Sequence, residues 1–393
     1  MSKIDELIKR LCPNGVRYGT LDELCETLKK GTLKTTELKE NGEYPVINSG
    51  RDFYGYYDDY NNDGIAFTLA ARGEYAGFIN YIEDKFWAGG LCYPYRSKNE
   101  KKLITKFIYY YLKSKEKYIM ETLVTRGSIP AINKSDIDKI KLPLPPYEVQ
   151  SEIVNILDKF TLITSELNDK LMLELTTCQK QYDYYKDLIL ENNNADKVKL
   201  GDCLLKVENI KWKQTDEQHQ YIDLSSVDRE NHLITETKEI NKTNAPSRAQ
   251  QIVKTNDVLF GGTRPMLKRY CLVNETYNNE ICSTGFCVLR ADKTKILPEW
   301  IYFMISANNF YNYVEQNQKG ASYPAISDAD VKNYMISLPR IDEQEKLVKL
   351  LNDLEKRFNN LFNSLPIEIE KRQNQYEYYR DLLLNFKEVH ENE

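Results

Sequence analysis

Gln181-Tyr-Asp-Tyr-Tyr-Lys-Asp-Leu-Ile-Leu190 recurs as Gln375-Tyr-Glu-Tyr-Tyr-Arg-Asp-Leu-Leu-Leu384, 194 residues further along the chain. An internal repeat dictates architecture, so it is read before any motif. The same offset aligns Leu144-Pro145 with Leu338-Pro339, Gln150 with Gln344, Val154 with Val348, Leu157 with Leu351 and Leu167 with Leu361, with no gap between residues 142 and 190. Upstream, Pro130-Ala-Ile-Asn-Lys-Ser-Asp136 matches Pro324-Ala-Ile-Ser-Asp-Ala-Asp330 at the same offset, and Phe107 to Tyr110 matches Trp300 to Phe303 one residue shorter. Charge follows the repeat: residues 1–140, 141–195, 196–340 and 341–393 carry net charges of +2, −4, +1 and −4. The chain is therefore built twice, each time as a near-neutral block followed by an acidic one.

The acidic blocks read as helices. Ile153, Leu157, Phe160, Ile163, Leu167, Leu171, Leu175, Cys178, Tyr182, Tyr185 and Ile189 follow one another in steps of three and four, the spacing of a coiled-coil seam. Leu347, Leu351, Leu354, Phe358, Leu361, Leu365, Ile369, Tyr376, Tyr379 and Leu383 repeat it. Leu142-Pro-Leu-Pro-Pro146 and Leu338-Pro339 mark the starts, with Glu148 and Asp342 placed for the first turns. Residues 148 to 190 would make a rod of about 65 Å at 1.5 Å per residue. Pro366 is expected to kink or break the second rod by removing one backbone hydrogen bond. Pairing of the two rods within one chain is favoured over a homodimeric coiled coil, because both partners are already present.

The near-neutral blocks are turn-rich and rich in tyrosine. Tyr44-Pro-Val-Ile-Asn48, Ile65-Ala-Phe-Thr-Leu-Ala70, Gly77-Phe-Ile-Asn-Tyr-Ile82, Asp257-Val-Leu-Phe-Gly-Gly262, Tyr270-Cys-Leu-Val273 and Phe286-Cys-Val-Leu-Arg290 read as short strands. Residues 104–121 and 298–316 read as helical, followed by loops carrying Arg126-Gly-Ser128 and Lys319-Gly-Ala-Ser322. The expected fold class is α/β: two α/β domains, 1–141 and 196–336, separated by a central helix, 142–195, and a C-terminal helix, 337–393. The two long helices pair antiparallel as an intramolecular coiled coil with a pseudo-twofold repeat.

Several chemistries are sought and not found. A composition of 41% hydrophobic and 29% charged residues suits more than one core and excludes disorder. No stretch approaches the ~18 apolar residues of a membrane span, which makes a cytoplasmic chain the expectation. The eight cysteines show no Cys-x-x-Cys spacing, so they read as reduced and packed, and no metal site is expected. Leu144-Pro-Pro-Tyr147 lacks the Asp or Asn that an amino-methyltransferase motif needs, and Phe260-Gly-Gly-Thr-Arg264 lacks phosphate-loop spacing and reads as a strand-end turn. There is no Gly-x-x-x-x-Gly-Lys-Ser/Thr for ATP. Glu83-Asp84-Lys85 reads as a solvated turn, and His219, His232 and His390 as ordinary surface histidines. No catalytic residue is assigned.

Binding chemistry remains. Arg51, Tyr54, Arg72, Arg126, Ser128, Thr263, Arg264, Lys268, Arg269, Lys319 and Ser322 fall in predicted loops of both blocks. Arginine bonds guanine bidentately, and Ser, Lys and backbone amides grip phosphate, so these are candidate DNA contacts. Tyr182, Tyr185 and Leu188, with Tyr376, Tyr379 and Leu382, are candidate helix-pairing or partner-binding positions; Tyr184, Tyr185, Tyr378 and Tyr379 read as packed, helix to helix or onto a partner.

Gly127-Ser128 through Ile132, Ile140-Lys-Leu-Pro-Leu-Pro-Pro146, Gln150 to Leu157, Tyr182 to Leu188 and their second copies, with the opening Leu11-Cys-Pro-Asn-Gly-Val16 and Leu21, resemble the specificity subunit of Type I restriction-modification enzymes. The resemblance spans essentially the whole chain. It implies two target-recognition domains, each reading half of a bipartite, asymmetric site on double-stranded DNA, with the helices as the ruler between halves. It further implies two DNA adenine methyltransferase subunits as partners, and two motor-nuclease restriction subunits in the complete complex. S-adenosylmethionine, and ATP with Mg, would then sit on those partners and not on this chain. Two readings of other classes stand beside it: an enzyme fused to such domains, and a coiled-coil adaptor that never touches DNA.

Overall fold

A computed structural model describes residues 3–191 and 195–389; His390 lies outside the described residues. The chain forms two compact units. One joins the residues up to Leu171 to those from Ile367 onward, and the other is Met172–Pro366.

In the first unit, Cys25–Thr27, Cys92–Ser97, Ala66–Ala70 and Ile79–Ile82 form a four-stranded antiparallel sheet in that order. A smaller sheet sets Tyr44–Ile47 between Gly55–Tyr57 and Trp87–Ala88, the last pairing parallel. Helices Thr105–Ser114 and Glu116–Thr122 follow. The β-branched and aromatic run Ala-Phe-Thr-Leu-Ala has no polar face, and all five of its residues are buried. Phe67, Tyr95, Phe107 and Leu112 fill the core beneath it.

The second unit repeats the plan. Leu204–Leu205, Phe286–Ala291, Val258–Gly261 and Tyr270–Leu272 make the four-stranded sheet, and His219–Ile222 pairs parallel with Ile281–Ser283 in the second. The helices are Pro298–Ser306 and Asn308–Asn317. In each unit the expected single helix is two, interrupted at Lys115 or at Ala307. Beneath the sheet Asp257 and Arg290, both buried, form a two-pronged ion pair at 2.9 and 2.7 Å.

The central helix runs Tyr147–Glu191 and the C-terminal helix Ile341–Leu383. Within the first unit, the opening part of the former packs on the closing part of the latter: Phe160 stacks on Tyr379, and the Thr161 and Tyr376 hydroxyls lie 3.2 Å apart. Within the second, the closing part of the central helix meets the opening part of the C-terminal one, with Tyr182 stacked on Phe358 at 4.7 Å. All of these contacts lie within one chain.

Two expectations for the rods are corrected. Pro366 does not break the helix, which runs through it unbroken. The carbonyl it leaves unpaired, that of Phe362, falls on an exposed stretch where solvent satisfies it. The apolar spacing also overstates the seam: Ile163 is 62% exposed, Tyr185 50% and Leu361 47%. A helix of 3.6 residues per turn drifts around a 3.5-residue pattern, so over many turns some matching positions rotate outward.

Each domain shares an apolar core with its helix, through Val149, Ile153 and Leu157 in the first unit and Val348 and Leu351 in the second, and one buried glutamine locks the joint. The Gln150 amide donates to the carbonyls of Lys102 and Pro145 at 2.9 and 2.8 Å and accepts the Ile104 amide at 2.8 Å. Gln344 does the same with Lys295, Pro339 and Leu297 at 3.0, 2.8 and 2.8 Å. Both are fully buried. Three backbone groups depend on each side chain, and an unpaired buried group costs about 1–3 kcal/mol. Gln150→Ala and Gln344→Ala should each destabilise by about 3 kcal/mol, while a surface control such as Gln181→Ala should stay within about 0.5 kcal/mol. Denaturant midpoints of the full-length variants check this.

Candidate nucleic-acid interface

Two loops are clasped side by side in each unit. In the first, Thr125 and Ala131 exchange backbone hydrogen bonds of 2.8 and 3.1 Å, closing the loop that carries Arg126 and Ser128. The Ile132 amide then donates to Ala71 and the Gly73 amide to Pro130, which lays the end of strand Ala66–Ala70 against that loop. Arg72, Arg126 and Ser128 are thereby collected at one exposed edge. Arg51 joins them indirectly, its guanidinium lying 4.8 Å over the Tyr75 ring of the same turn. Tyr54 is 48% exposed on the hairpin loop, with no recorded contact to the others.

Arg51 also borders a cleft of about 860 Å³ whose wall includes Phe78, Tyr81, Lys106, Lys113 and Asp158. Lys113 sits 3.9 Å over the Phe78 ring, and burial, against the pull of Glu116, lowers its pKa. Lys106 is paired with Glu83 and Asp158 at 2.9 and 3.0 Å. Glu83 is thus an ion-pair partner, and not part of a carboxylate cluster.

The second unit repeats the clasp at Lys319 and Ala325, with Ile326 donating to Gly262 and Arg264 to Pro324. Thr263, Arg264, Lys319 and Ser322 are brought together, and Lys268 and Arg269 complete the same turn. The Arg264 guanidinium lies 4.3 Å over the ring of Tyr323, and the Lys268 ammonium 4.8 Å over that of Tyr311. Phe260-Gly-Gly-Thr-Arg264 is, as its sequence implies, a strand end leading into a turn. The clasp also sets the register: Ser128 corresponds to Ser322, but Lys319 corresponds to Thr125 and Arg126 to Gly320. Cations occupy both loops one residue out of step.

Each unit thus presents an edge of exposed cations, small hydroxyl residues and aromatics. Among the described residues there is no group of three or more His, Cys, Asp or Glu that could hold a metal ion. Comparison with known proteins gives this edge its context. The family described as Type I restriction modification DNA specificity domain matches residues 13–177 and 192–371. The chain belongs to this family. It is 27% identical to the putative type I restriction enzyme specificity subunit of Haemophilus influenzae, covering 97% of this chain and 98% of that one. It is 25% identical to the EcoR124I/EcoR124II specificity subunit of Escherichia coli, covering 98% of each. Among solved structures, the HsdS subunit from Thermoanaerobacter tengcongensis matches at 33% identity over 47% of each chain with a TM-score of 0.43. The S subunit from M. genitalium matches at 17% identity over 96% of this chain and 98% of that one with a TM-score of 0.42.

As a specificity-domain protein, the chain carries a feature of its loops that the sequence reading missed. Ile129 and Tyr323 occupy matching tip positions and are 58% and 70% exposed. The signal was present, an apolar residue before the repeated Pro-Ala-Ile in both copies. On the helices, Tyr182 and Tyr376 face inward to the helix pair. Tyr185, Leu188, Tyr379 and Leu382 are exposed, together with Tyr184 and Tyr378. Of the two alternatives for the tandem tyrosines, packing helix to helix holds for Tyr379, which stacks across on Phe160. Tyr184 contacts Tyr185, and Tyr378 contacts Tyr379, edge to face with the same 5.4 Å separation. The repeat thus presents the same apolar patch twice.

The cysteines are free, and all but Cys178 are buried. The two described histidines are half-buried against aromatic neighbours and not simply solvated. His219 lies against Trp212, with Glu280 at 3.4 Å. His232 stacks on Tyr270 at 3.8 Å, and its Nδ1 is buried without a partner. Burial, reinforced by Lys186 and Lys268 and opposed by Asp228, pushes the His232 pKa down to about 4. The unfolded chain therefore takes up this proton first, near pH 6.5, so the contribution of His232 is complete above that value and is lost as pH falls toward 4. The loss should reach about 2 kcal/mol after allowing for partial exposure. His232→Asn keeps a residue tolerant of the left-handed backbone at φ 53° and should flatten the dependence. Thermal unfolding at pH 7 and pH 4.5 checks it.

Proposed function

We propose that the chain reads one bipartite, asymmetric sequence on double-stranded DNA, with domains 1–141 and 196–336 each reading one half. The helical segments 142–195 and 337–393 set the gap between halves. The observation that carries the proposal is the duplicated clasp, which holds Arg72, Arg126 and Ser128 in one unit and Thr263, Arg264, Lys319 and Ser322 in the other at corresponding edges. Two loops on one backbone frame with different side chains suit two different half-sites. Arginine and lysine supply salt-dependent phosphate attraction, and the hydroxyl and aromatic tips supply discrimination at base edges.

The outward patches of Tyr184, Tyr185 and Leu188, and of Tyr378, Tyr379 and Leu382, receive two copies of one partner, a DNA adenine methyltransferase. Repetition of the patch is what supports two copies, since identical surfaces recruit identical partners. Motor-nuclease subunits join in the restricting complex, which acts in the cytoplasm. S-adenosylmethionine, ATP and Mg belong to those partners. The chain itself supplies recognition and scaffold, and no catalytic group.

Deleting the gene should remove one gapped, asymmetric motif from the host's adenine methylation map; an unchanged map favours the adaptor reading. Arg126→Ala should weaken duplex binding and reduce the slope of log affinity against log salt by about 0.9, one phosphate contact. An unaltered slope removes Arg126 from the interface. Methyl transfer by the purified chain alone would restore the enzyme reading.

A further inference from the structure

The turn after the central sheet strand is built twice on one hydrogen-bond pattern. In the first unit the Ala70 amide donates to Phe78, Ala76 to Gly73 and Gly73 to Pro130, at 2.9, 3.0 and 2.9 Å. In the second, Gly261 donates to Arg269, Leu267 to Arg264 and Arg264 to Pro324, at 2.8, 3.0 and 2.7 Å. The pattern equates Gly73 with Arg264 and Gly77 with Lys268. All four are left-handed, with φ of 97° and 90° for the glycines and 49° and 53° for the basic residues. Glycine adopts this backbone without penalty, whereas a residue with a β-carbon is strained by it. The first unit shows that glycine satisfies the turn, so the second carries strain at two places that the fold does not require.

Strain of this kind persists where the side chain is needed for something else. The two side chains concerned are cations, and among the described residues neither has a carboxylate within ion-pair distance. Each is instead laid on a ring, Arg264 on the exposed Tyr323 and Lys268 on Tyr311, which orients the charge without neutralising it. Lys319 and the Ser322 hydroxyl share the same edge. We propose that Arg264 and Lys268 are phosphate contacts of the second unit, carried at glycine positions of the turn, and that the first unit has no counterpart at these two places. The inference rests on the DNA-reading function proposed above. It makes the electrostatic grip of the two units unequal at this turn: the second holds the duplex backbone at two places where the first has glycine, and the first carries Arg72 where the second has Thr263.

The test uses the full chain and a random-sequence duplex of about 30 base pairs, on which phosphate contacts dominate binding. Arg264→Gly and Lys268→Gly should each lower affinity several-fold and shallow the salt slope by about 0.9. Their unfolding midpoints should hold or rise, by up to about 2 °C, because strain is relieved. Gly73→Arg is the reciprocal variant: a β-carbon there meets nothing within 4 Å, so only the backbone objects. It should steepen the slope by a similar amount and lower the midpoint. Binding by the parent chain with slopes unchanged in Arg264→Gly and Lys268→Gly would overturn the inference and leave DNA reading intact. Lower midpoints in these two variants would also overturn it, because the residues would then serve the fold. No duplex binding by the parent chain would overturn the function itself.

Discussion

A buried amide in each half locks a domain to its helix inside the apolar core that the two share. Gln150 and Gln344 lie one turn inside their helices, and each bridges the proline turn behind it to the segment that begins the domain's own helical pair. A glutamine amide offers two donors and an acceptor in one plane, and all three are used. No apolar residue of similar size could replace it without orphaning three buried backbone groups. The consequence reaches beyond stability. Because the amide's geometry is directional, it fixes the angle at which the domain leaves the helix, and the loops at the domain's far edge inherit that angle. The apolar contact around it, with Val149, Ile153 and Leu157 or Val348 and Leu351, resists separation, and the directional amide adds resistance to sliding.

The clasp at Ala131 and Ala325 works in the same way on a smaller scale. In both copies its paired bonds run backbone to backbone, with the Thr125 hydroxyl adding a third to the Ala131 carbonyl in the first, so the loop keeps its path whatever its tip residues are. Within that path the two copies have diverged in charge placement and in how much strain they tolerate: glycine where the turn is left-handed in one, arginine and lysine in the other. Divergence confined to side chains on a conserved backbone lets a repeated domain acquire a second specificity without acquiring a second fold.

Much of this was legible in the sequence because the repeat is ungapped where structure is most constrained. The glutamines, the proline turns and the Tyr-Tyr pairs align at one offset because helices tolerate no insertion without rotating every following side chain. The sheet strands that were found, such as Ala66–Ala70 and Val258–Gly261, are buried on both faces and read as unbroken apolar runs. Strands such as His219–Ile222 and Ala249–Ile252 went unread, because half-exposed positions, His219, Gln220, Gln251 and Ile252, interrupt the pattern. The burial of His232 was invisible too: it depends on stacking with Tyr270, 38 residues away, and no local spacing records it. Pro366 was over-read as a break, since the helix continues unbroken on both sides of it.

The glycines show why the loop tips could diverge while the frame could not. A β-carbon on Gly15 would meet the Lys387 carbonyl at 2.4 Å, and one on Gly42 would meet backbone at 2.6 Å; at such places the chain accepts no side chain. At Gly73 and Gly127 the same atom would meet nothing within 4 Å. In the first unit the open positions Gly73 and Gly127 lie along the edge that carries Arg72, Arg126 and Ser128, whereas in the second Gly262 and Gly320 meet backbone at 3.0 Å. At Gly73 and Gly127 substitution meets no neighbouring atom, and at Arg264 and Lys268 of the second unit side chains occupy left-handed positions of the same turn. An edge with open positions on a fixed backbone is one on which side chains can change with the core left as it stands.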